Sequence, residues 1–257
     1  MIDLHVHLLP DLDDGPSSIA DSLETARLLA GAGVHTVAAT PHVRVDYPSE
    51  PTAIDRGVAA LRTAIAEAAI PLDVLGGAEL SFEQLRRPTA ELRRFGLAGN
   101  PSLLLVETPY LGWPLALERT IFDLRLAGFT VVLAHPERNP DVQGDPVLVE
   151  RLVRSGTLVQ VTTSSLAGVL GNRARETALE LLERDLVHLV GSDTHGPDGR
   201  ALGAEPVRRA VGDRALVRWL TEDSPAAIVA GRRVPLRPDP IRRRRFRRPR
   251  GGRGWPR

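Results

Sequence analysis

The chain has 257 residues, no cysteine and a formal net charge of +1. This length suits one large hydrophobic core and is ordinary for a single α/β barrel. The lack of cysteine excludes disulfides, thiolate metal ligands and a cysteine nucleophile. The sequence has no signal-like N-terminal segment and no run of eighteen apolar residues, so we expect no transmembrane segment and a cytoplasmic protein.

The charge is divided unevenly along the chain. Residues 232–257 contain twelve arginines and one aspartate and carry +11, which leaves −10 for residues 1–231. Because this last segment is poor in apolar residues, it cannot bury enough surface to offset its ordering entropy. We therefore predict a folded domain over residues 1–231 and a disordered Arg-rich tail over residues 232–257. Two interpretations of the tail stay open: contact with an acidic protein, an anionic lipid or nucleic acid, or no function of its own.

Short apolar, β-branched runs alternate with segments of helical spacing along residues 1–231. The runs lie near residues 2–7, 36–42, 72–80, 103–110, 130–137, 158–165 and 188–195. Between the first two, residues 17–33 carry apolar side chains on one helical face, with serine N-cap candidates at the start and glycines at the end. Residues 114–128 and 171–185 repeat the helical pattern. This alternation predicts parallel strands in a barrel or a doubly wound sheet.

The first run, IDLHVH, places two histidines on one face of a strand. Apolar residues alternate there with Asp3, His5 and His7, and alternate residues of a strand point to the same side. Two imidazoles that leave a strand together indicate part of a metal site or merely a polar strand end. The acids Asp13 and Asp14 follow shortly before a glycine turn.

Polar residues lie at the carboxyl ends of most of the predicted strands, the first included. The predicted strand ends carry His5, His7, His42, Glu79, Glu107, His135, Asp193 and His195. The carboxyl ends of parallel barrel strands meet at one face, where such enzymes build their sites. Apolar strands do not otherwise favour His, Glu and Asp, so the pattern favours one shared site. We expect His35 and His188, which begin strands, to lie on the opposite face.

The ordered motifs DLHVHLLPDLDDG, ATPH, GAEL, ETP, HPER and SDTH resemble those of the polymerase and histidinol phosphatase (PHP) superfamily. The runs HLLPDLDDGP and SLETARLLAGAGVHTVAATPH are more similar to its bacterial protein-tyrosine phosphatase branch, which is encoded in capsule and exopolysaccharide operons. DSPAAIVAG, near residues 223–231, resembles the closing helix of that branch. The resemblance covers residues 1–231. It implies an α/β fold, a distorted TIM-like (β/α)7 barrel with parallel strands and a metal site at their carboxyl ends.

The resemblance also implies three divalent metal ions, most often manganese in this branch. A set of imidazoles and carboxylates is equally compatible with iron or zinc. The first ion would be held by His5, His7, Glu79 and Asp193, the second by Glu79, Glu107 and His135, and the third by Asp14, His42 and His195. Asp14 is chosen over Asp13 because it directly precedes the glycine turn, but the sequence leaves both open, and Asp13 and Asp11 are typical turn residues. Glu107 has a second interpretation as a helix cap.

Arg138, in HPER, resembles the arginine that binds the substrate phosphate in this family. Its alternative is an exposed ion pair with Glu137 or Asp141. We expect Arg138, Asp193 and His195 to take part in catalysis. Tyr110 and Trp113 either stack on a phosphotyrosine ring or pack under a loop, and VRVDYPSEPT after His42 either closes over substrate or links two elements.

Three functions follow as hypotheses. The resemblance implies a metal-dependent phosphoesterase that hydrolyses protein phosphotyrosine, with a bacterial tyrosine kinase of polysaccharide synthesis as the partner and a metal-activated hydroxide as the nucleophile. The first alternative is a small-molecule phosphoesterase that acts on histidinol phosphate or a nucleotide. The second is a nucleic-acid-binding protein that depends on the Arg-rich tail.

Overall fold

The computed structural model of the protein describes residues 1–197 and 201–238. The strands are β1 (Ile2–Val6), β2 (Thr36–Ala39), β3 (His42–Val43), β4 (Asp73–Gly76), β5 (Glu79–Ser81), β6 (Leu103–Glu107), β7 (Thr130–Ala134), β8 (Leu158–Thr162) and β9 (Leu189–Gly191). The helices are α1 (Ile19–Gly31), α2 (Pro51–Glu67), α3 (Thr89–Leu92), α4 (Leu117–Leu126), α5 (Pro140–Gly144), α6 (Val147–Arg154), α7 (Thr163–Ala167), α8 (Asn172–Glu183), α9 (Glu205–Val211), α10 (Arg214–Arg218) and α11 (Ser224–Val229).

The strands are parallel and follow one another in the order β1-β2-β4 and β3-β5-β6-β7-β8-β9. Two residues separate β2 from β3 and β4 from β5, so the predicted strands at 36–42 and 72–80 are each present but interrupted. Pro41 lies in the first gap and has no N–H for the ladder. The backbone N–H of Glu79 nevertheless donates to the Pro41 carbonyl at 3.1 Å, which links the two interrupted strands.

Hydrogen bonds beyond the end of β9 join it to β1. Val6 and Thr194 form a parallel bridge, the N–H of Asp193 donates to the His5 carbonyl at 2.9 Å, and the N–H of His7 donates to the Thr194 carbonyl at 2.9 Å. If β2 with β3 and β4 with β5 are each counted as one interrupted strand, every strand has a neighbour on both sides. The sheet thus closes into a barrel that is distorted at the two interruptions. This arrangement confirms the predicted seven-unit α/β barrel.

The core has an inner and an outer part. Leu103 and Leu105 of β6 belong to a small cluster with residues of β1, β2, β7 and β9, whereas Leu104 and Val106 belong to the larger cluster shared with the helices. This alternation follows from the period of two in a strand. Ile228 of α11 joins the inner cluster beside residues at the strand starts. The predicted closing helix thus covers the amino end of the barrel.

Several local predictions agree with the structure. Ser18 is the N-cap of α1 and accepts a hydrogen bond from the N–H of Asp21, and α1 ends at Gly31. The segments 114–128 and 171–185 contain α4 and α8. None of the helices within residues 1–197 and 201–238 combines the length and apolar character that a membrane span needs.

The start of the predicted tail contacts the barrel. Trp219 Nε1 donates to the Pro235 carbonyl at 3.0 Å, and Arg237 donates to the Leu182 carbonyl at 2.9 Å. Arg237 also pairs with Asp185. Residues 232–238 are therefore an irregular segment held on the folded domain, and the rest of the predicted tail, from residue 239, lies outside the described residues.

Candidate metal centre

The polar strand ends meet at the carboxyl face of the barrel. Seven of the predicted ligands are at most 5% exposed: His5, His7, His42, Glu79, Glu107, His135 and Asp193. The side chains of Asp14 and His195 are more open, at 44% and 16%. Burying this many ionisable groups together is costly unless they are paired or bind metal.

Four donor atoms surround one position. Nε2 of His5 lies 3.2 Å from Glu79 Oε2 and 3.3 Å from Asp193 Oδ1, and Nε2 of His7 lies 3.4 Å and 3.3 Å from the same two oxygens. The two Nε2 atoms are 3.2 Å apart. Ligands about 2.0–2.1 Å from a tetrahedral ion are spaced about 3.4 Å from one another. The four residues predicted for the first ion therefore fit a single divalent metal.

Glu79 connects this group to a second one. Its other oxygen, Oε1, lies 2.8 Å from His135 Nε2. His42 Nδ1 lies 3.0 Å from Glu79 Oε2 and 3.7 Å from Glu107 Oε1. A carboxylate with donors at both oxygens can bridge two ions. The structure thus groups Glu107 with His42 and Glu79 and places His135 on the opposite oxygen of Glu79.

A third group lies nearer to solvent. Asp14 Oδ1 is 3.3 Å from His195 Nε2 and 3.6 Å from His42 Nε2, and these three residues form a candidate metal group with His7. The His7 and His195 rings are stacked, with their centroids 3.8 Å apart. His42 therefore offers one ring nitrogen to each of two groups.

Asp13 and Asp14 have different surroundings. Asp13 Oδ2 accepts from His7 Nδ1 at 2.6 Å and from the His42 N–H at 2.9 Å, and Oδ1 accepts from the Gly15 N–H at 2.9 Å. Asp13 is therefore occupied in orienting an imidazole, as carboxylates commonly do behind metal-binding histidines. Asp14 is the acid that faces the donor group, which favours Asp14 as the ligand.

Two buried residues without a role in the sequence analysis form hydrogen bonds beneath the donor cluster. Gln160 of β8 accepts from His5 Nδ1 at 2.9 Å, and its amide donates to the Val161 carbonyl at 2.8 Å. Asp3 accepts from the N–H of Ser192 at 3.0 Å, and burial raises the pKa of Asp3 to about 6. The available signal for Gln160 was a lone amide inside the apolar strand LVQVT.

The charges of the cluster favour cations. Burial lowers the pKa of His5, but the carboxylates of Glu79 and Asp193 outweigh it and raise that pKa to about 9. The imidazoles in turn overcome burial and hold the pKa of Glu79 well below its usual range. Burial and the nearby Glu79 raise the pKa of Glu107 to about 8. Bound protons thus supply positive charge at positions where metal ions would displace them.

Two of the predicted ligands have unusual backbone conformations. His135, after β7, has a φ of 31°, and Asp193, after β9, has a φ of 53°. These left-handed conformations are uncommon for residues other than glycine. The turns direct both side chains from the strand ends into the cluster.

Arg138 lies beside the cluster and pairs with Asp193 rather than with Glu137 or Asp141. Its Nη1 donates to Asp193 Oδ2 at 2.5 Å, and its side chain remains 25% exposed. Glu137 is instead buried and accepts from the N–H of Thr162 at 2.8 Å. Asp193 therefore presents one oxygen to the first donor group and the other to Arg138.

A cavity of about 150 Å³ opens above these groups. It is lined by Asp14, His42, Tyr110, His135, Arg138, Asp193 and His195. Of the two aromatic candidates, Tyr110 reaches the cavity and is 56% exposed, whereas Trp113 packs against the core. His35 pairs with Glu222 at 3.1 Å, and His188 accepts from the Val159 N–H at 3.2 Å; both lie outside the cluster.

Comparison with known proteins identifies similar chains over most of the length of this one. Residues 1–224 match the family model for capsular polysaccharide synthesis, CpsB/CapC. The chain is 37% identical over 197 residues to the tyrosine-protein phosphatase YwqE of Bacillus subtilis, which covers 76% of this chain and 77% of that protein. It is 27% identical over 223 residues to the putative tyrosine-protein phosphatase CapC of Staphylococcus aureus, covering 86% of each.

Solved structures agree with these matches. A chain from the crystal structures of YwqE from Bacillus subtilis and CpsB from Streptococcus pneumoniae, described as unique metal-dependent tyrosine phosphatases, superposes with a TM-score of 0.82 at 32% identity. The alignment covers 95% of this chain and all of that one. A histidinol phosphate phosphatase from Lactococcus lactis superposes with a TM-score of 0.53 at 11% identity over 82% of this chain and 94% of that one, which shows a shared fold. The resemblance inferred from the motifs is confirmed, and the chain belongs to the CpsB/CapC family of capsular polysaccharide synthesis.

Proposed function

We propose that this protein is a metal-dependent phosphoesterase that hydrolyses phosphotyrosine in proteins. The observation that carries the proposal is the buried set of imidazole and carboxylate donors with Arg138 beside it at the mouth of one cavity. Relatives described as tyrosine phosphatases support the choice of substrate. Since cysteine is absent, the thiolate route to the same reaction is excluded.

The donor set supports three divalent ions, with manganese as our first choice and iron or zinc as alternatives. Nine residues would hold them: His5, His7, Asp14, His42, Glu79, Glu107, His135, Asp193 and His195. When bound, such ions lower the pKa of a water molecule to near neutrality and offset the charge of a phosphate. The spacing of 3.2–3.4 Å within the first donor group is the geometric support for this assignment.

Arg138 is proposed to bind the substrate phosphate. Its guanidinium presents a planar set of donors that matches phosphate oxygens, and it lines the cavity while Asp193 fixes one of its nitrogens. Asp193 therefore orients the phosphate-binding group as well as serving the first ion. We include Arg138, Asp193 and His195 in the catalytic set.

His195 is proposed to act as a neutral imidazole. Burial and the charge of His7 lower the pKa of His195 to about 4. Its Nδ1 donates to the Asp193 carbonyl at 3.0 Å, so the lone pair of Nε2 points towards Asp14. The phenol that leaves from phosphotyrosine has a pKa of about 10, so a dedicated proton donor is less necessary, and we assign none.

We further propose that the substrate is the phosphotyrosine-bearing tail of a bacterial tyrosine kinase of polysaccharide synthesis and that the reaction takes place in the cytoplasm. The family's link to capsular polysaccharide synthesis supports this. The Arg-rich tail is proposed to contact an acidic partner, an anionic lipid or nucleic acid. Its residues from 239 onward lie outside the part of the chain that the structure describes.

The deciding experiment removes metal with a chelator and then restores Mn²⁺, Fe²⁺, Zn²⁺ or Mg²⁺ separately. We expect phosphate release from a phosphotyrosine peptide to disappear and then return with the functional ion. His135→Gln and Asp193→Asn should abolish the restored activity, while His35→Gln, on a histidine outside the cluster, should retain it. Faster hydrolysis of histidinol phosphate than of the peptide would instead favour the small-molecule alternative.

A further inference from the structure

Exposed apolar side chains gather on two loops next to the cavity. Val45 is 84% exposed in the loop after β3, and Tyr110, Leu111 and Leu115 are 56%, 80% and 103% exposed in the loop after β6. Single exposed apolar residues are normal on protein surfaces, but a group beside a binding site indicates an interaction surface. We call these four residues the apolar rim.

The loop that carries most of the apolar rim is anchored. Asn139 is 2% exposed, and its side-chain amide donates to the Pro109 carbonyl at 2.9 Å and to the Gly112 carbonyl at 3.1 Å. Gly112 has a φ of 82°, which a residue with a side chain rarely adopts. Tyr110 and Leu111 lie between the two carbonyls that Asn139 binds, so the backbone on either side of them is held in place. Their side chains are exposed.

The apolar rim is continuous with the cavity. Tyr110 belongs to the rim and lines the cavity, and its ring centroid is 5.9 Å from Cζ of Arg138. Its hydroxyl lies 3.5 Å from Nη1 of Arg44, which connects the loop after β6 to the loop that contains Val45. A phosphate held by Arg138 would thus have the rim immediately beside it.

We propose that the apolar rim is a docking surface for the polypeptide that flanks a phosphotyrosine, and that it prefers apolar residues there. This inference rests on the proposed function. A cavity of about 150 Å³ leaves the rest of a protein substrate outside, against the rim. The nearby guanidiniums are paired, Arg138 with Asp193 at 2.5 Å and Arg44 with Asp46 at 2.9 Å and Glu107 at 3.8 Å, so their charges are offset and the rim itself offers apolar contacts.

The test combines changes on the enzyme and on the substrate. The enzyme variant is Leu111→Ser with Leu115→Ser, and the matched control is Leu126→Ser, a 74% exposed leucine at the carboxyl end of α4 and therefore at the opposite end of the barrel. The substrates are a phosphotyrosine peptide with leucine and valine flanks, the same peptide with glycine flanks, and p-nitrophenyl phosphate. All are assayed with the metal-restored protein.

We expect wild type to favour the apolar-flank peptide over the glycine-flank peptide in kcat/KM by at least tenfold, which corresponds to about 1.4 kcal/mol. The double variant should lose that preference because its KM for the apolar-flank peptide rises. Its kcat/KM for p-nitrophenyl phosphate should change less than twofold. Leu126→Ser should match wild type on all three substrates.

Four results would overturn the inference. A wild type without flank preference, or a double variant equally impaired on all substrates, removes the docking surface while the phosphatase stands. A wild-type dimer that the double variant dissociates shows that a second copy covers the apolar rim. A wild type that releases no phosphate from any substrate removes the proposed function, and this inference with it.

Discussion

Gln160→Leu should weaken metal binding although Gln160 is not among the proposed ligands. Gln160 is fully buried and accepts from His5 Nδ1 at 2.9 Å. This bond keeps the Nδ1 proton in place, so that when an ion displaces the proton on Nε2, it is the Nε2 lone pair that becomes available beside Glu79 and Asp193. Leucine has a similar size and no acceptor, so the substitution removes the bond with little change in packing.

The expected loss has two parts. A buried imidazole N–H without a partner costs about 1–3 kcal/mol in the free energy of unfolding. Without this acceptor, the neutral ring can also keep its proton on Nε2 instead of Nδ1. That tautomer has no Nε2 lone pair for an ion, and converting it to the other tautomer costs free energy. Loss of such a supporting group typically lowers metal affinity by about 10–100-fold, or about 1.4–2.8 kcal/mol.

The measurement is the Zn²⁺ or Mn²⁺ dissociation constant of the metal-stripped protein, determined by competition with a chromophoric chelator, with thermal unfolding followed in parallel. Gln143→Leu is the matched control, because Gln143 donates to the Glu137 carbonyl at 2.9 Å but does not contact His5. A folded Gln160→Leu protein with affinity within twofold of wild type would refute the reasoning.

Three further predictions test other parts of the structure. Asp13→Ala removes the acceptor of His7 Nδ1, and chelator competition should show a loss of metal affinity of about 10–100-fold; an unchanged affinity would mean that Asp13 is only a turn residue. Gly191→Ala would place a methyl group 3.0 Å from Cβ of His5 and should lower the free energy of unfolding, measured with denaturant, by about 1–3 kcal/mol. Gly31→Ala has nothing within 4 Å of the added methyl group and should not destabilise the protein. Burial chiefly lowers the pKa of His188 to about 4, so below about pH 6.5 the unfolded chain binds this proton more readily than the folded protein. The free energy of unfolding should therefore fall by about 3 kcal/mol as the pH drops from 6.5 towards 4. A His188→Gln protein with the same pH dependence of unfolding would contradict this.

The sequence was sufficient to predict that these side chains come together, because barrel topology converts order along the chain into proximity. Glu107 and His135 are far from His5 in sequence, but each ends a strand, and parallel strands bring their ends to one face. Motif resemblance then divided the predicted ligands into groups. The division was incomplete at His42, whose two ring nitrogens face different groups. Ring orientation depends on contacts from several strands, which no local pattern contains.

The supporting residues were harder to recognise. Gln160 lies inside a strand, where one amide among apolar residues has no specific meaning until its partner is known. The start of the tail was similar: arginine and proline predict disorder by composition, but Pro235 and Arg237 have specific partners on the folded domain. In both cases, long-range hydrogen bonds provided the information that the sequence pattern lacked.

The residue types at 135 and 193 satisfy two requirements together. Both positions turn the chain out of a strand with a positive φ, and the hydrogen bond from the Asp193 N–H to the His5 carbonyl holds one of these turns in place. Asn, Asp and His adopt this conformation more readily than other residues with side chains. Aspartate and histidine are also strong ligands for divalent metals, whereas glycine would satisfy the backbone and supply no donor. The backbone and the chemistry of the site therefore restrict these two positions to nearly the same short set of amino acids.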